Sequence, residues 1–215
     1  MRFTKALIMP ITAVFIITAC EKAEYVPPKW HVGDWAEYEV KAFAGGLKEY
    51  KLRYAITGEE NIKGETYYWL EMVGASGESH FVYKMLVPYG YRGVAERMII
   101  KVEDQTALEM PKAEGLADEP PGENRPYLYT KEEVKKGKID EVKITVPAGE
   151  FLTIHAKAKN LHEQEAEVWF ARDIPILGIV SQKTASEEMK LTAHGKDAKT
   201  AITEEPQKVN LGIFD

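Results

Sequence analysis

The stretch that decides the fold is residues 35–56, which read WAEYEVKAFAGGLKEYKLRYAI. Apolar and charged residues alternate from 37 to 41, and they alternate again from 50 to 56. This period of two predicts strands with one buried and one wet face. The Gly45-Gly46 pair between them is typical of a tight turn. The stretch therefore predicts an antiparallel hairpin.

The same alternation continues through the chain and predicts strands of ordinary length. One short helix is predicted between Thr130 and Gly137, because Thr130 followed by Glu133 is a capping-box pattern. Nine or ten short strands joined by tight turns favour a mainly β domain with a single antiparallel, strongly curved sheet, either half-barrel or barrel-like. Besides the hairpin, the predicted strands are 66–73, 80–87, 94–102, 142–146, 151–159, 167–171, 179–183 and 189–193.

The amino-acid composition and net charge indicate which classes of binding partner are not expected. The 215 residues are 45% hydrophobic and 29% charged, as in globular proteins, and the net charge is −6. An acidic chain whose lysines are interleaved with glutamates has no basic docking patch. Neither nucleic acid nor anionic lipid is therefore expected as a preferred partner.

The first 19 residues differ from the rest. Arg2 and Lys5 precede an almost wholly apolar run from 6 to 19, which is the layout of a secretory signal. A helix of about 14 residues spans roughly 21 Å, against about 30 Å for the hydrocarbon core of a bilayer. Residues 1–19 are therefore predicted to be a signal peptide, with a signal helix, and not a permanent transmembrane helix.

The end of this run, Ile17-Thr18-Ala19-Cys20, resembles the lipobox of prokaryotic lipoproteins, and Cys20 is the only cysteine in the chain. The resemblance implies cleavage between Ala19 and Cys20 and a diacylglyceryl group on the Cys20 thiol. Two acyl chains suffice for stable anchoring. The expected location is the cell envelope, lipid-anchored and facing the periplasm or the exterior, with the choice of membrane left open. The alternative is that Cys20 is an incidental thiol in a simple signal or in an uncleaved anchor.

The exported part divides by composition into a lipidated cysteine with a tether at 20–33, a β domain at 34–195 and a polar C-terminal tail at 196–215. The tether is predicted from Pro27-Pro28 and from weak periodicity. Within the domain, the prolines of 110–126 predict an exposed loop.

A second resemblance rests on three stretches: VPAGEF at 146–151, VWFARDIP at 168–175 and LGIV at 177–180. They are similar to several exported β families of unknown function and, more broadly, to the half-barrel lipoprotein carriers, the Lol sorting proteins and their relatives. That resemblance implies an apolar cavity for acyl chains under a lid of helices. This chain offers only one predicted helix. Taken alone, Pro175 and Gly178 predict a sharp turn between strands.

Enzymatic patterns are incomplete. His162-Glu163 lacks the second histidine of a zinc protease, which would have to stand at Ala166. The five histidines have no ligand spacing. We therefore predict no catalytic residue, no metal and no cofactor, and we do not expect an enzyme.

Two groups of side chains are candidates for binding. Glu163, Glu165 and Glu167 would share one strand face and could attract a cation, although a solvated face is the simpler interpretation. The aromatic residues could contact sugar or lipid, although packing within the sheet is favoured. They are Tyr67, Tyr68, Trp69, Tyr89 and Tyr91.

Two functions follow from the sequence. In the first, the domain binds or carries a hydrophobic small molecule such as a lipid, and the anchor holds it near the membrane. In the alternative, the domain is a structural or assembly subunit of an envelope complex and contacts another protein. A continuous apolar cavity would favour the carrier, and side chains that fill the concavity would favour the structural subunit.

Overall fold

The structure is a computed structural model that describes residues 24–43, 48–77, 79–90, 95–110, 128–159 and 164–209. These residues contain twelve strands and one helix, α1 (Lys131–Gly137). The strands are β1 (Trp35–Ala42), β2 (Lys48–Ile62), β3 (Glu65–Ser76), β4 (Ser79–Pro88), β5 (Arg97–Val102), β6 (Leu108–Met110), β7 (Lys138–Val146), β8 (Gly149–Lys159), β9 (Glu165–Phe170), β10 (Ile179–Lys183), β11 (Glu187–Gly195) and β12 (Gln207–Lys208).

All twelve strands form one open sheet in the order β12-β6-β5-β4-β3-β2-β1-β11-β10-β9-β8-β7. The chain thus builds two meanders that meet where β1 pairs with β11, with Trp35 opposite Gly195. The predicted mainly β, single curved sheet is confirmed, and the sheet is not closed. The predicted count of nine or ten strands was low because β6 and β12 are too short to alternate visibly. The pairing of β12 with β6 is parallel, an exception to the predicted antiparallel order.

The sheet curves strongly at its β7 end. Phe151 of β8 and His194 of β11 have ring centroids only 6.2 Å apart, although β9 and β10 lie between their strands. In a flat sheet three strand spacings would separate them by about 14 Å. The backbone N–H of Ala148 also donates to the carbonyl of Leu191 at 3.2 Å. The sheet therefore folds around the apolar face that it encloses.

The concave face carries the larger apolar cluster. In β1 every second residue is buried, and Tyr38 lies opposite Leu52 on one side and Leu191 on the other. These side chains join one continuous cluster that extends to Ile154 and Phe170 of the other half. The alternation of 37–41 therefore has the predicted cause, burial of one strand face.

A smaller cluster lies on the outer face. Trp69, Val82, Leu86 and Ile99 pack there, and Ala107 and Ile202 cover them. The strands β3 to β5 are consequently apolar on both faces. Described residues that follow β11, among them Ile202, cover the outer cluster from the back of the sheet.

The predicted helix is confirmed as α1. The Thr130 hydroxyl accepts from the Glu133 N–H at 3.2 Å, and the Glu133 carboxylate accepts from the Thr130 N–H at 2.7 Å. This reciprocal pair satisfies N–H groups that have no partner within the helix. Val134 is buried and holds α1 on the concave cluster.

Several predicted features lie outside the described residues: the signal peptide, Ala19, Cys20 and nearly all of the loop at 110–126. In the part of the chain that the structure covers, no helix combines the length and the apolar character that crossing a bilayer requires.

Candidate functional site

Residues 24–34, called the N-terminal segment below, run into the concave side of the sheet. The sequence predicts a free tether at 20–33, and the described part of that range differs from the prediction. Tyr25 and Trp30 are each 5% exposed and belong to the main apolar cluster. Aromatic side chains are uncommon in free linkers, so Tyr25 and Trp30 were the available signal.

Tyr25 fixes the beginning of the segment. Its ring lies 4.7 Å from that of Phe170 at the end of β9, and its hydroxyl donates to the carbonyl of Tyr129 at 2.9 Å. Beside it, the carboxylate of Glu24 pairs with the ammonium of Lys131 at 2.6 Å. This hydrogen bond lowers the pKa of Glu24 below its usual value. The segment is thereby attached to the first turn of α1.

Trp30 fixes the other end of the segment. Its indole N–H donates to the carbonyl of Ile176 at 3.0 Å, so the buried polar atom has a partner. The rings of Tyr68 and Tyr89 meet it edge-on, with centroids at 5.6 Å and 5.4 Å. The Tyr89 hydroxyl donates to the carbonyl of Pro28 at 3.2 Å. Trp30 therefore joins the β9–β10 loop to β3 and β4.

The loop that accepts from Trp30 is strained. Ile176 has φ of 67°, which is unusual for a β-branched residue. The Leu177 N–H donates back to the Pro175 carbonyl at 2.8 Å, which makes Ile176 the centre of a three-residue turn. Such a conformation costs about 1–3 kcal/mol and persists only where the surroundings hold it. Trp30 is one of the groups that hold it.

Gly178 completes this loop and confirms the predicted sharp turn. Its φ is 71°, a conformation that favours glycine. A Cβ there would lie 3.4 Å from Pro28 and 3.5 Å from Tyr25. The stretch that carried the resemblance to half-barrel carriers thus packs directly against the N-terminal segment.

Side chains of the described residues therefore pack across the concave side. Tyr129 packs on Phe170 at 5.3 Å, and the Tyr38 hydroxyl crosses the interior to donate to the carbonyl of Ile179 at 3.1 Å. Burial raises the pKa of Tyr38, and of Tyr54 beside it, far above the usual value. Both phenols stay neutral at every physiological pH.

An open cleft of about 510 Å³ lies on one side of the N-terminal segment, against β2, β3 and β4. We call it the aromatic cleft, because Trp30, Tyr68 and Tyr89 line it together with Val32 and Lys29. Partial burial, and then the proximity of Tyr68, raises the pKa of Tyr89.

The structure separates the five predicted aromatics. It brings Tyr68 and Tyr89 to the aromatic cleft, while Tyr67 and Trp69 pack in the outer cluster. Tyr91 lies outside the described residues. Trp69 also receives Lys84 and Arg97 over its ring, at 5.3 Å and 5.0 Å.

A second open cleft, of about 540 Å³, lies on the other side of the segment. We call it the cation cleft, because Lys29, Arg172 and Lys196 line it. None of the three forms an ion pair with another described residue. His31 and His194 also line it, although they are far apart in sequence. The sequence reasoning missed this group because only the pairing of β1 with β11 brings its members together.

The acidic side chains of the cation cleft are Asp34 and Asp173. Asp34 is 3% exposed, and its carboxylate accepts from the backbone N–H of His31 at 2.9 Å. The His31 ring nitrogen Nδ1 contacts the same oxygen at 3.2 Å. Asp34 is thus buried and engaged by His31, whereas the side chains of Lys29, Arg172 and Lys196 are exposed to solvent.

The structure describes only Glu165 and Glu167 of the predicted carboxylate face. Glu163 is outside the described residues, and Glu167 lies 3.9 Å from the Nε2 atom of His155. His155 stacks flat on Trp169, with centroids 4.5 Å apart. Within the described ranges, no three His, Cys, Asp or Glu side chains are grouped closely enough to hold a metal ion.

Residues 196–209, called the C-terminal segment below, lie against the outer face and not in solvent as a polar tail would. Ile202 is 5% exposed. The buried carboxylate of Glu71 accepts from the Thr200 hydroxyl at 2.5 Å and from the Ala201 N–H at 2.9 Å. Lys84 donates to the same hydroxyl at 3.1 Å.

No protein-family model matches the chain, and no curated protein matches it. Two solved structures are similar to it. One is a Bacteroides fragilis protein provisionally named an exported protein with a YmcC-like fold, at 12% identity and a TM-score of 0.35. The other is a Parabacteroides distasonis protein provisionally named a lipoprotein, at 12% identity and a TM-score of 0.38. Each match covers 81% of this chain and 100% of the other.

Proposed function

We propose that the chain is the precursor of an envelope lipoprotein, and that its β domain is a structural or docking subunit at the membrane with no ligand inside the sheet. The observation that supports the second part is the filled concave face. Tyr25 and Trp30 occupy, together with Phe170 and Tyr129, the volume that a carrier would leave for acyl chains. Among the described residues this packing favours a structural subunit over a carrier, because close-packed interiors have few voids larger than a water molecule.

The lipoprotein part rests on the residues Ile17 to Cys20, which resemble a lipobox. A diacylglyceryl group on Cys20 would place the chain in a membrane of the cell envelope. Which membrane receives it depends on sorting signals whose rules differ between lineages.

The experiment is to purify the protein from membranes of the cells that make it and to measure its mass twice. Denatured, the chain is expected to begin at Cys20 and to carry the mass of a diacylglyceryl group. Under native conditions, in a mild detergent, no additional lipid or other hydrophobic molecule is expected on the protein. A chain that retains residues 1–19, or begins elsewhere without lipid, would overturn the lipoprotein part.

Carriage of a hydrophobic molecule is the second candidate, and the aromatic cleft favours it. Tyr68 and Tyr89 expose aromatic surface in an open cleft of about 510 Å³, with the buried Trp30 at its base, beside the segment that leads to Cys20. A molecule that stays bound in the native spectrum, and is lost from Tyr68→Ala and not from the control Tyr67→Ala, would establish the carrier in place of the structural subunit. In-cell crosslinking that recovers one specific envelope protein supports the structural subunit.

A further inference from the structure

The position of the N-terminal segment fixes how far the domain can be from its anchor. Only residues 21–23 separate Cys20 from Glu24, which is already paired with Lys131. Four steps of fully extended chain span at most about 14 Å. If Cys20 carries lipid, as the proposed function requires, Glu24 stays within that distance of the headgroup region. A tether of 14 residues would have allowed several times that range.

The same end of the sheet carries the cation cleft. Its lining comes from the N-terminal segment, from the β9–β10 loop and from the residues after β11. These three parts meet at one end because β1 starts opposite the end of β11, and β10 starts opposite the end of β9. Arg172 lies close enough to Glu24 to lower the pKa of that carboxyl.

The charge at this end differs from that of the whole chain. The chain has a net charge of −6, yet Lys29, Arg172 and Lys196 are exposed cations that pair with no other described residue. Of the two acidic residues in the cleft, Asp34 is buried and is engaged by His31, whereas Asp173 is exposed, so one exposed carboxylate faces three exposed cations among the lining residues. Unpaired lysine and arginine side chains near a bilayer are attracted to the phosphates of its lipids.

Exposed apolar side chains lie beside these cations. Val26 and Val32 of the N-terminal segment are 39% and 52% exposed, and Tyr89 is 48% exposed with its ring against Trp30. Tyrosine is favoured where a membrane surface meets water, because its ring is apolar and its hydroxyl is polar. This end therefore offers both kinds of contact that a headgroup region accepts.

We propose that this end of the domain lies flat on the membrane that holds the Cys20 anchor, with Lys29, Arg172 and Lys196 on the phosphates of lipid headgroups. The occupant of the cation cleft is the bilayer surface itself. The opposite end of the sheet, which carries Phe43, then faces away and is the end available to a protein partner.

Two labelled positions test the orientation. With the Cys20 thiol blocked by its thioether to the diacylglyceryl group, an introduced cysteine is the only free thiol, so a fluorophore can be placed on Val32→Cys or on Phe43→Cys. Val32 and Phe43 are 52% and 45% exposed and lie near opposite ends of β1, which are roughly 27 Å apart. The lipidated protein is reconstituted into phosphatidylcholine vesicles with or without phosphatidylglycerol, and energy transfer to a labelled lipid is measured.

We expect transfer from position 32 to exceed that from position 43 about fivefold or more in vesicles that contain phosphatidylglycerol. K29Q/R172Q/K196Q should reduce the ratio towards one, since each cation near an anionic surface changes binding about fivefold. The charge-matched control K41Q/K48Q/K183Q removes three lysines from the opposite end and should leave the ratio unchanged. Val26→Cys provides a second position if Val32→Cys does not fold.

Equal transfer from the two positions, in protein that floats with the vesicles and has the mass of the lipidated chain, would overturn the orientation alone. If K29Q/R172Q/K196Q leaves the ratio of energy transfer from position 32 to that from position 43 unchanged, the proposed role of the three cations is wrong. If the protein carries no lipid adduct and floats with neither kind of vesicle, the proposed function is wrong. The mass of the denatured chain measures the lipid adduct independently of the orientation.

Discussion

The chain enters the sheet through residues 24–34 and leaves it through residues 196–209, and these two segments pack on opposite faces by different means. The N-terminal segment inserts two large aromatic side chains, Tyr25 and Trp30, into the concave cluster. The C-terminal segment contributes small apolar side chains, chiefly Ile202, and satisfies a buried carboxylate, that of Glu71.

This difference indicates what each segment does for the fold. Removing a buried aromatic side chain forfeits much apolar burial and leaves a cavity, so the N-terminal segment belongs to the core. A segment held mainly by hydrogen bonds contributes less, because folding exchanges them for bonds to water. The C-terminal segment therefore covers the sheet, whereas the N-terminal segment is part of its interior.

The largest effect is expected for Trp30→Ala. It removes a side chain that is 5% exposed, the hydrogen bond to Ile176 and the support of a strained turn. We expect the free energy of unfolding to fall by about 3–5 kcal/mol, as measured by urea unfolding.

Val32→Ala, in the same segment and 52% exposed, is the matched control and should change that free energy by less than about 0.5 kcal/mol. Equal effects of the two substitutions would mean that the N-terminal segment is not part of the core.

A smaller effect is expected for Glu71→Ala, which tests the other segment. It leaves the Thr200 hydroxyl and the Ala201 N–H without their acceptor, a loss of about 1–3 kcal/mol. Limited proteolysis should then cut within 196–209 earlier than in the parent protein, while 24–34 stays protected. The exposed Glu65→Ala is the control. Faster cleavage of both segments would show that they are not independent.

Thr130→Ala tests the attachment of the N-terminal segment to α1. The substitution removes the capping hydroxyl of a helix whose first residue, Lys131, pairs with Glu24. We expect the free energy of unfolding to fall by about 1 kcal/mol. Thr130→Ser keeps the cap and should retain most of the stability, as thermal unfolding would show. Equal losses of stability in Thr130→Ala and Thr130→Ser would show that the capping hydrogen bond is not the cause of the effect.

The smallest effect is the response to acid. Each segment contains a carboxyl whose pKa is lowered by a hydrogen bond from a lysine: Lys131 lowers that of Glu24, and Lys101 lowers that of Glu204. A carboxyl whose pKa is lower in the folded chain stabilises it above the usual glutamate pKa. That contribution is lost as the pH falls through the lowered value.

Hydrogen exchange followed by mass spectrometry, at pH 7 and near pH 4, measures this response. Corrected for the intrinsic exchange rates at each pH, acid should lower the protection of 196–209 more than that of 24–34, because the burial of Tyr25 and Trp30 does not depend on an ion pair. Greater loosening of 24–34 would contradict the assignment of that segment to the core.

The sequence predicts the sheet well and the two ends poorly. In β1 and β2 the alternation is visible because one face is buried and the other is wet. Their antiparallel pairing is confirmed residue by residue, and the predicted Gly45-Gly46 turn lies outside the described residues. Residues 24–34 have no period of two, because they contact the sheet only through separate anchors such as Tyr25 and Trp30. The sequence pattern alone therefore predicts a tether for these residues.

The candidate site could be predicted only in part. Tyr68 and Tyr89 were identified as candidates, but their meeting at Trp30 depends on a segment with no periodic signal. The grouping of Lys29, Arg172 and Lys196 depends on the pairing of the first and eleventh strands, a long-range contact that local patterns do not encode. Cys20 and Ala19 stay predictions from the lipobox resemblance.

Hydrogen exchange of the Trp30 indole N–H, followed by NMR on the lipidated protein and assigned with Trp30→Phe, tests most directly whether the N-terminal segment fills the sheet. We predict an exchange rate several orders of magnitude below that of a free indole, since the group is buried and donates to Ile176. Exchange at the rate of a free indole would contradict the account and would leave the concave face open to a ligand.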